Sequence, residues 1–154
     1  MKTEQNVLKH IFSLLLVLCV LLSLTGCKPY STTALYVYNL TDEDIVLEEN
    51  FNTEEYQTTH IPSGSKVMIG DYNRYGTVVN NVSLPEFISN PYAVAKLYIE
   101  NIDGRTLVRE WKFIERGEGR DFFNELFWST ITREDVSGGT HFSYIFTVTQ
   151  DDIL

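Results

Sequence analysis

Beyond Ala34 no stretch of the chain holds a helical period for more than about two turns, and polar turn-formers interrupt it roughly every 8–12 residues. Helices long enough to pack do not fit between such breaks, so short strands must bury the apolar groups. Ala34–Leu40 (ALYVYNL) is aromatic and β-branched, which suits a pleated surface. The polar turn Thr41–Asp44 and the return Ile45–Glu49 predict a hairpin. Gln57–Ile61 reads as a weaker strand. Pro62-Ser63-Gly64 follows as a turn, with proline presetting one torsion and glycine free to take positive φ. Ser65–Tyr72 is the next strand.

Asn73–Asn81 reads as a loop entering a short strand, and Leu84–Ser89 as one helical turn. In Ala93–Glu100 the residues Ala95, Leu97 and Ile99 share one face, while Lys96, Tyr98 and Glu100 share the other. Asn101–Gly104 is the clearest turn in the chain, and Thr106–Ile114 completes a hairpin there. Glu115–Arg120 is a polar loop, and Asp121–Thr132 fits either a helical turn or a strand. After Ser137-Gly138-Gly139, Thr140–Thr149 sets Phe142, Tyr144, Phe146 and Val148 on one face, as a central strand would. These elements predict an all-β fold: a single antiparallel β-sandwich, immunoglobulin-like or related, over residues 34–154.

The N-terminus has another character. A short basic start with Lys2 and Lys9 precedes the charge-free run Ile11–Leu24, which is shorter than the roughly 20 apolar residues of a membrane span. Leu24-Thr25-Gly26-Cys27 follows directly and resembles the lipobox of bacterial lipoproteins. The resemblance implies a signal peptide over 1–26, cleavage after Gly26 and acylation of Cys27 with palmitate-like chains. Two or three such chains anchor a protein stably where one does not. The alternative is an ordinary signal peptide cut nearby, with Cys27 left as a thiol. Residues 27–33 then form a lipidated tether, of which Lys28–Thr33 spans at most about 20 Å at roughly 3.3–3.6 Å per residue.

The ending SYIFTVTQDDI, after the aromatic segment Phe122–Trp128, is similar in style to small Bacteroidetes lipoproteins that pair a lipobox with a β-sandwich. That resemblance implies a cell-envelope location and carries no functional residues. Acidic residues just after the cysteine, frequent in the surface-exported members, are missing from Lys28-Pro29-Tyr30-Ser31. The expectation is therefore an outer-membrane anchor facing the periplasm.

Cysteine and charge narrow the function. With Cys19 in the signal and Cys27 acylated, the domain has no thiol for a disulfide, a metal site or a nucleophile. Removing Lys2, Lys9 and Glu4 from 12 basic and 21 acidic residues leaves 10 against 20. So acidic a domain has no basic face for nucleic acid, and its expected membrane contact is the lipid alone. His60 and His141 stand far apart with no serine elbow or H-E-x-x-H around them, so no catalytic or metal site and no cofactor is expected. Asp42-Glu43-Asp44 lacks calcium-loop spacing and reads as a solvated turn. Glu125, among Phe122–Trp128, reads as a solvent-facing residue between core anchors.

One segment remains as a candidate surface. Tyr72, Asn73, Arg74 and Tyr75 in a loop would make rigid amphipathic contacts with a glycan or an envelope protein. The simpler reading is that Phe123, Phe127 and Trp128 plug an open end of the sandwich and that Tyr72 and Tyr75 cover it. The chain is thus expected to be a non-enzymatic binding or accessory module of the envelope. Assembly through a sheet edge, or hydrolysis, are the alternatives. Exposed loop aromatics favour binding, an uncharged edge favours assembly, and a cleft with convergent acids favours hydrolysis.

Overall fold

The computed structural model describes residues 30–75, 88–117, 119–136 and 139–154. The segments around Cys27 and Leu84 lie outside these residues. Eight strands are present: β1 Tyr30–Asn39, β2 Ile45–Glu49, β3 Gln57–Ile61, β4 Lys66–Tyr75, β5 Val94–Asn101, β6 Gly104–Lys112, β7 Trp128–Val136 and β8 Gly139–Val148. They form two four-stranded sheets, ordered β4-β1-β8-β7 and β3-β2-β5-β6. No described helix is long and apolar enough to cross a membrane.

The sheets share one apolar core. Leu35 and Val37 of β1 and Phe146 and Val148 of β8 face Ile45 and Leu47 of β2 and Ala95 and Leu97 of β5. Phe146 is fully buried within a ring of aromatics: Phe122 at 4.8 Å, Trp128 at 5.5 Å and Trp111, from the other sheet, at 5.7 Å between centroids. Side chains of this size each contribute about 1.5–3 kcal/mol on burial, so the aromatic ring is the energetic centre of the domain. Phe123 and Trp128 are buried in this core and Phe127 packs against it half-buried, while Glu125 is exposed.

β8 is central as expected, and the β5–β6 hairpin turns at Asn101–Gly104, where Gly104 takes φ +126° and Asp103 N–H donates to Asn101 Oδ1. The ambiguous segment resolves as a 3-10 turn, Glu125–Phe127, running into β7.

Three expectations need correction. The sheets are not wholly antiparallel, because β1 pairs in parallel with β8, from Tyr30↔Gly139 to Asn39↔Val148. A parallel pair joins strands remote in sequence, and no turn signal announces it. Second, β1 and β2 do not form a hairpin, since the chain crosses between sheets at Leu40–Asp44. Buried Asn39 directs that crossing: its Nδ2 donates to Glu43 O and Ile61 O, and its Oδ1 accepts from Thr41 N and Oγ1. Third, β1 begins at Tyr30, so the tether ends four residues earlier than expected. Ser31 and Thr33 are buried, which a solvated tether would not allow.

Candidate functional site

The run Tyr72-Asn73-Arg74-Tyr75 is not a loop. It is the end of edge strand β4, with Tyr72 opposite Thr33, Asn73 opposite Thr32, Arg74 opposite Ser31 and Tyr75 opposite Tyr30. An extended strand sends alternate side chains to opposite faces, which parts Tyr72 from Asn73. Tyr72 turns inward and packs against the core, while Asn73 is exposed.

Tyr72 nevertheless leads to a cleft that sequence reading missed. A cavity of about 200 Å³ opens where the edge of one sheet, β4, meets the edge of the other, β3, and Glu49, Asn52, Asp71 and Tyr72 are among its walls. Glu49 is the unusual member. It ends β2 on the face that carries Ile45 and Leu47, so it points between the sheets, and it is 5 % exposed. Among the described residues its carboxylate accepts one hydrogen bond, from Phe51 N–H at 2.7 Å. Phe51 is anchored in the core against Phe122 and Phe123, and this fixes the chain where it leaves β2. Burial pushes the Glu49 carboxyl above its usual range, and the Phe51 bond offsets this in part.

The facing wall is equally determined. Asn52 Nδ2 donates to the Tyr72 hydroxyl at 3.0 Å, and Asn52 Oδ1 accepts from Ser89 N and Oγ, which fixes the amide orientation. Burial raises the Tyr72 phenol; the Asn52 bond works against that, and the charges of Glu49 and Asp71 add to it. Gly70 makes room for the ring, since a Cβ there would lie 3.2 Å from the Tyr72 ring. Exposed Asp71 stands at the rim. The described lining therefore holds two carboxylates, several amides and a phenol, and no lysine, arginine or histidine.

The other candidates do not assemble. His60 is exposed on the outer face of the second sheet, with Nδ1 at 2.9 Å from Glu100 and Nε2 accepting from Arg105, which also reaches Glu48. His141 lies between hydroxyls, with Nδ1 at 2.5 Å from Thr32 Oγ1. Asp44 accepts from Ser63 N–H, so one carboxylate of the acidic turn is already engaged by the chain. Among the described residues no three metal-ligating side chains converge.

The cleft could have been suspected from one signal: Glu49 falls on the apolar face of Ile45 and Leu47, where a third apolar residue belongs. Its partners come from β4 and from the approach to β5, which no spacing connects. No protein family, curated protein or solved structure matches this chain.

Proposed function

We propose that the chain is a lipid-anchored cell-envelope protein, held through Cys27, whose β-sandwich binds a small polar ligand in the Glu49–Tyr72 cleft without transforming it. The crossings between sheets at Leu40–Asp44 and Pro62–Ser65 support a sandwich related to the immunoglobulin type. The carrying observation is the inward, nine-tenths buried carboxylate of Glu49 at an open cavity. A buried acid that has, among the described residues, one neutral donor and no counter-charge penalises folding, and such strain is typical of residues kept for binding or chemistry. The lipobox residues Leu24–Cys27 support the anchor.

A second reading, hydrolysis, draws on the same acids, since Glu49 is raised by burial while Asp71 is solvated. The cavity counts against it. About 200 Å³ is below the roughly 300–1,000 Å³ usual for small-molecule sites, and a glycosidase must hold sugars on both sides of the broken bond.

Two experiments test the proposal. Fatty-acid labelling in a bacterial host should mark the wild-type chain and not Cys27→Ser; labelling of the variant would remove the anchor. A nitrogen-15 NMR screen of small polar compounds should shift the amides of Asn50–Thr53 and Gly70–Tyr72 together. Shifts confined to other surfaces would remove the cleft.

A further inference from the structure

We infer that the Glu49 cleft receives a cationic group, an ammonium or guanidinium, as the recognised end of its ligand; this rests on the reading of the cleft as a binding site. The protein contains its own comparison. A second buried carboxylate, Asp152, is 2 % exposed and is fully engaged: Arg120 Nε and Nη2 each donate at 2.7 Å, and Thr149 N and Oγ1 add two more bonds. Glu49 is buried almost as deeply and has, among the described residues, a single neutral donor. A carboxylate offers about four lone-pair sites, and a buried charge needs a counter-charge as well as hydrogen bonds. Among the described residues nothing supplies to Glu49 what Arg120 supplies to Asp152, and the cavity lies where such a group would enter.

The surroundings select the same chemistry. The charge of exposed Asp71, the neighbour of Tyr72 on β4, reaches the Tyr72 phenol and adds to the negative field there, and the described lining contains no cation that would compete with a ligand. A phosphate or carboxylate would be repelled. A neutral hydroxyl ligand would supply hydrogen bonds but leave the charge unmatched. The cavity of about 200 Å³ admits one compact head group rather than an extended molecule.

The test compares shape-matched probes on the purified full chain by nitrogen-15 NMR. Methylguanidinium and propylammonium are set against N-methylurea and propanol, at constant ionic strength. The cations should shift the amides of Phe51, Asn52 and Tyr72 with apparent Kd values at least about tenfold tighter than the neutral probes. Glu49→Gln should weaken cation binding at least about tenfold. Asp71→Lys, an exposed change that leaves the core untouched, should do the same by placing a like charge at the rim. Agmatine and a Gly-Arg-Gly peptide then show whether a free amine or the side chain of a polypeptide is the better source of the group. Neutral probes that shift these amides as strongly would overturn the charge requirement and leave the cleft as a binding site. Silence of these amides to every probe would overturn both. Cation binding that survives both variants unchanged would overturn the inference alone.

Discussion

The Arg120–Asp152 pair closes the domain at its C-terminus, and replacing Arg120 with Met tests how much of the fold depends on it. Asp152 belongs to the short helix α1, Gln150–Ile153, and its side chain both caps that helix through Thr149 and accepts the guanidinium of Arg120. Arg120 also donates to Thr147 O and lies 5.2 Å from the Phe146 ring centroid, so it ties helix, β8 and core together. Removing one member of a buried pair costs about 3–5 kcal/mol, because the other charge stays buried. Here the Arg120 side chain is 34 % exposed and water can partly replace it, which brings the expectation to about 2–3 kcal/mol. Against a total of about 5–15 kcal/mol the loss is large. Urea unfolding followed by tryptophan fluorescence at neutral pH measures it.

The pH dependence is a second readout of the same pair. Burial pushes the Asp152 carboxyl up, but the bonds from Arg120 and Thr149 outweigh it and hold the group below its ordinary 3.8. A carboxyl depressed in the folded state adds stability above its unfolded value, and that stability is lost as pH falls through the folded value. In Arg120→Met the largest opposing influence is gone and burial remains. Asp152 should therefore no longer contribute to the acid loss of stability, and the difference between wild type and variant should narrow as pH falls below about 3.8. A cost below about 0.5 kcal/mol, with an unchanged acid limb, would refute the assignment of the pair as the C-terminal closure.

Phe146→Ala should cost about 3–5 kcal/mol because four aromatic and cationic neighbours lose their shared contact, whereas Leu126→Ala, 85 % exposed, should stay within about 0.5 kcal/mol in the same assay. Equal costs would contradict the placement of the core. Glu49→Gln should stabilise the unliganded protein at neutral pH, since burial raises this carboxyl and penalises its charged form. A carboxyl raised in the folded state makes wild type gain stability as pH falls through that raised value toward 4.5, so the two stability curves should converge there; a variant less stable at pH 7 would contradict this. The melting temperature should move by less than about 1 °C with EDTA or a reductant, no thiol or metal being expected to hold the domain together. A clear drop with EDTA would return Asp42 and Asp44 to consideration as calcium ligands.

Much of the strand content was legible because alternation and turn chemistry are local. Ile45–Glu49 and Gln57–Ile61 match β2 and β3 residue for residue, and Asn101–Gly104 marks its hairpin. What failed was non-local. A polar run such as Thr41–Asp44 turns the chain equally well within a sheet or between two sheets, and the difference lies in Asn39 meeting Ile61 O across the fold. Tyr72–Tyr75 reads as a loop because asparagine and arginine dilute its aromatics, yet pairing with Tyr30–Thr33 gives it a ladder. The cleft was illegible for the same reason, its walls being joined only through tertiary contacts. Glu49 alone stood out of pattern.

The pairing of β1 has a mechanical consequence. β1 lies inside its sheet, bonded along its length to β4 on one side and to β8 on the other. A pull on the chain at Tyr30, directed along the strand, loads both ladders in shear, so many backbone bonds must yield together instead of unzipping in turn. The resistance of such a joint is set by the unfolding barrier, not by equilibrium stability. Force applied to the chain at Tyr30 would thus enter the domain through two ladders at once, one antiparallel and one parallel.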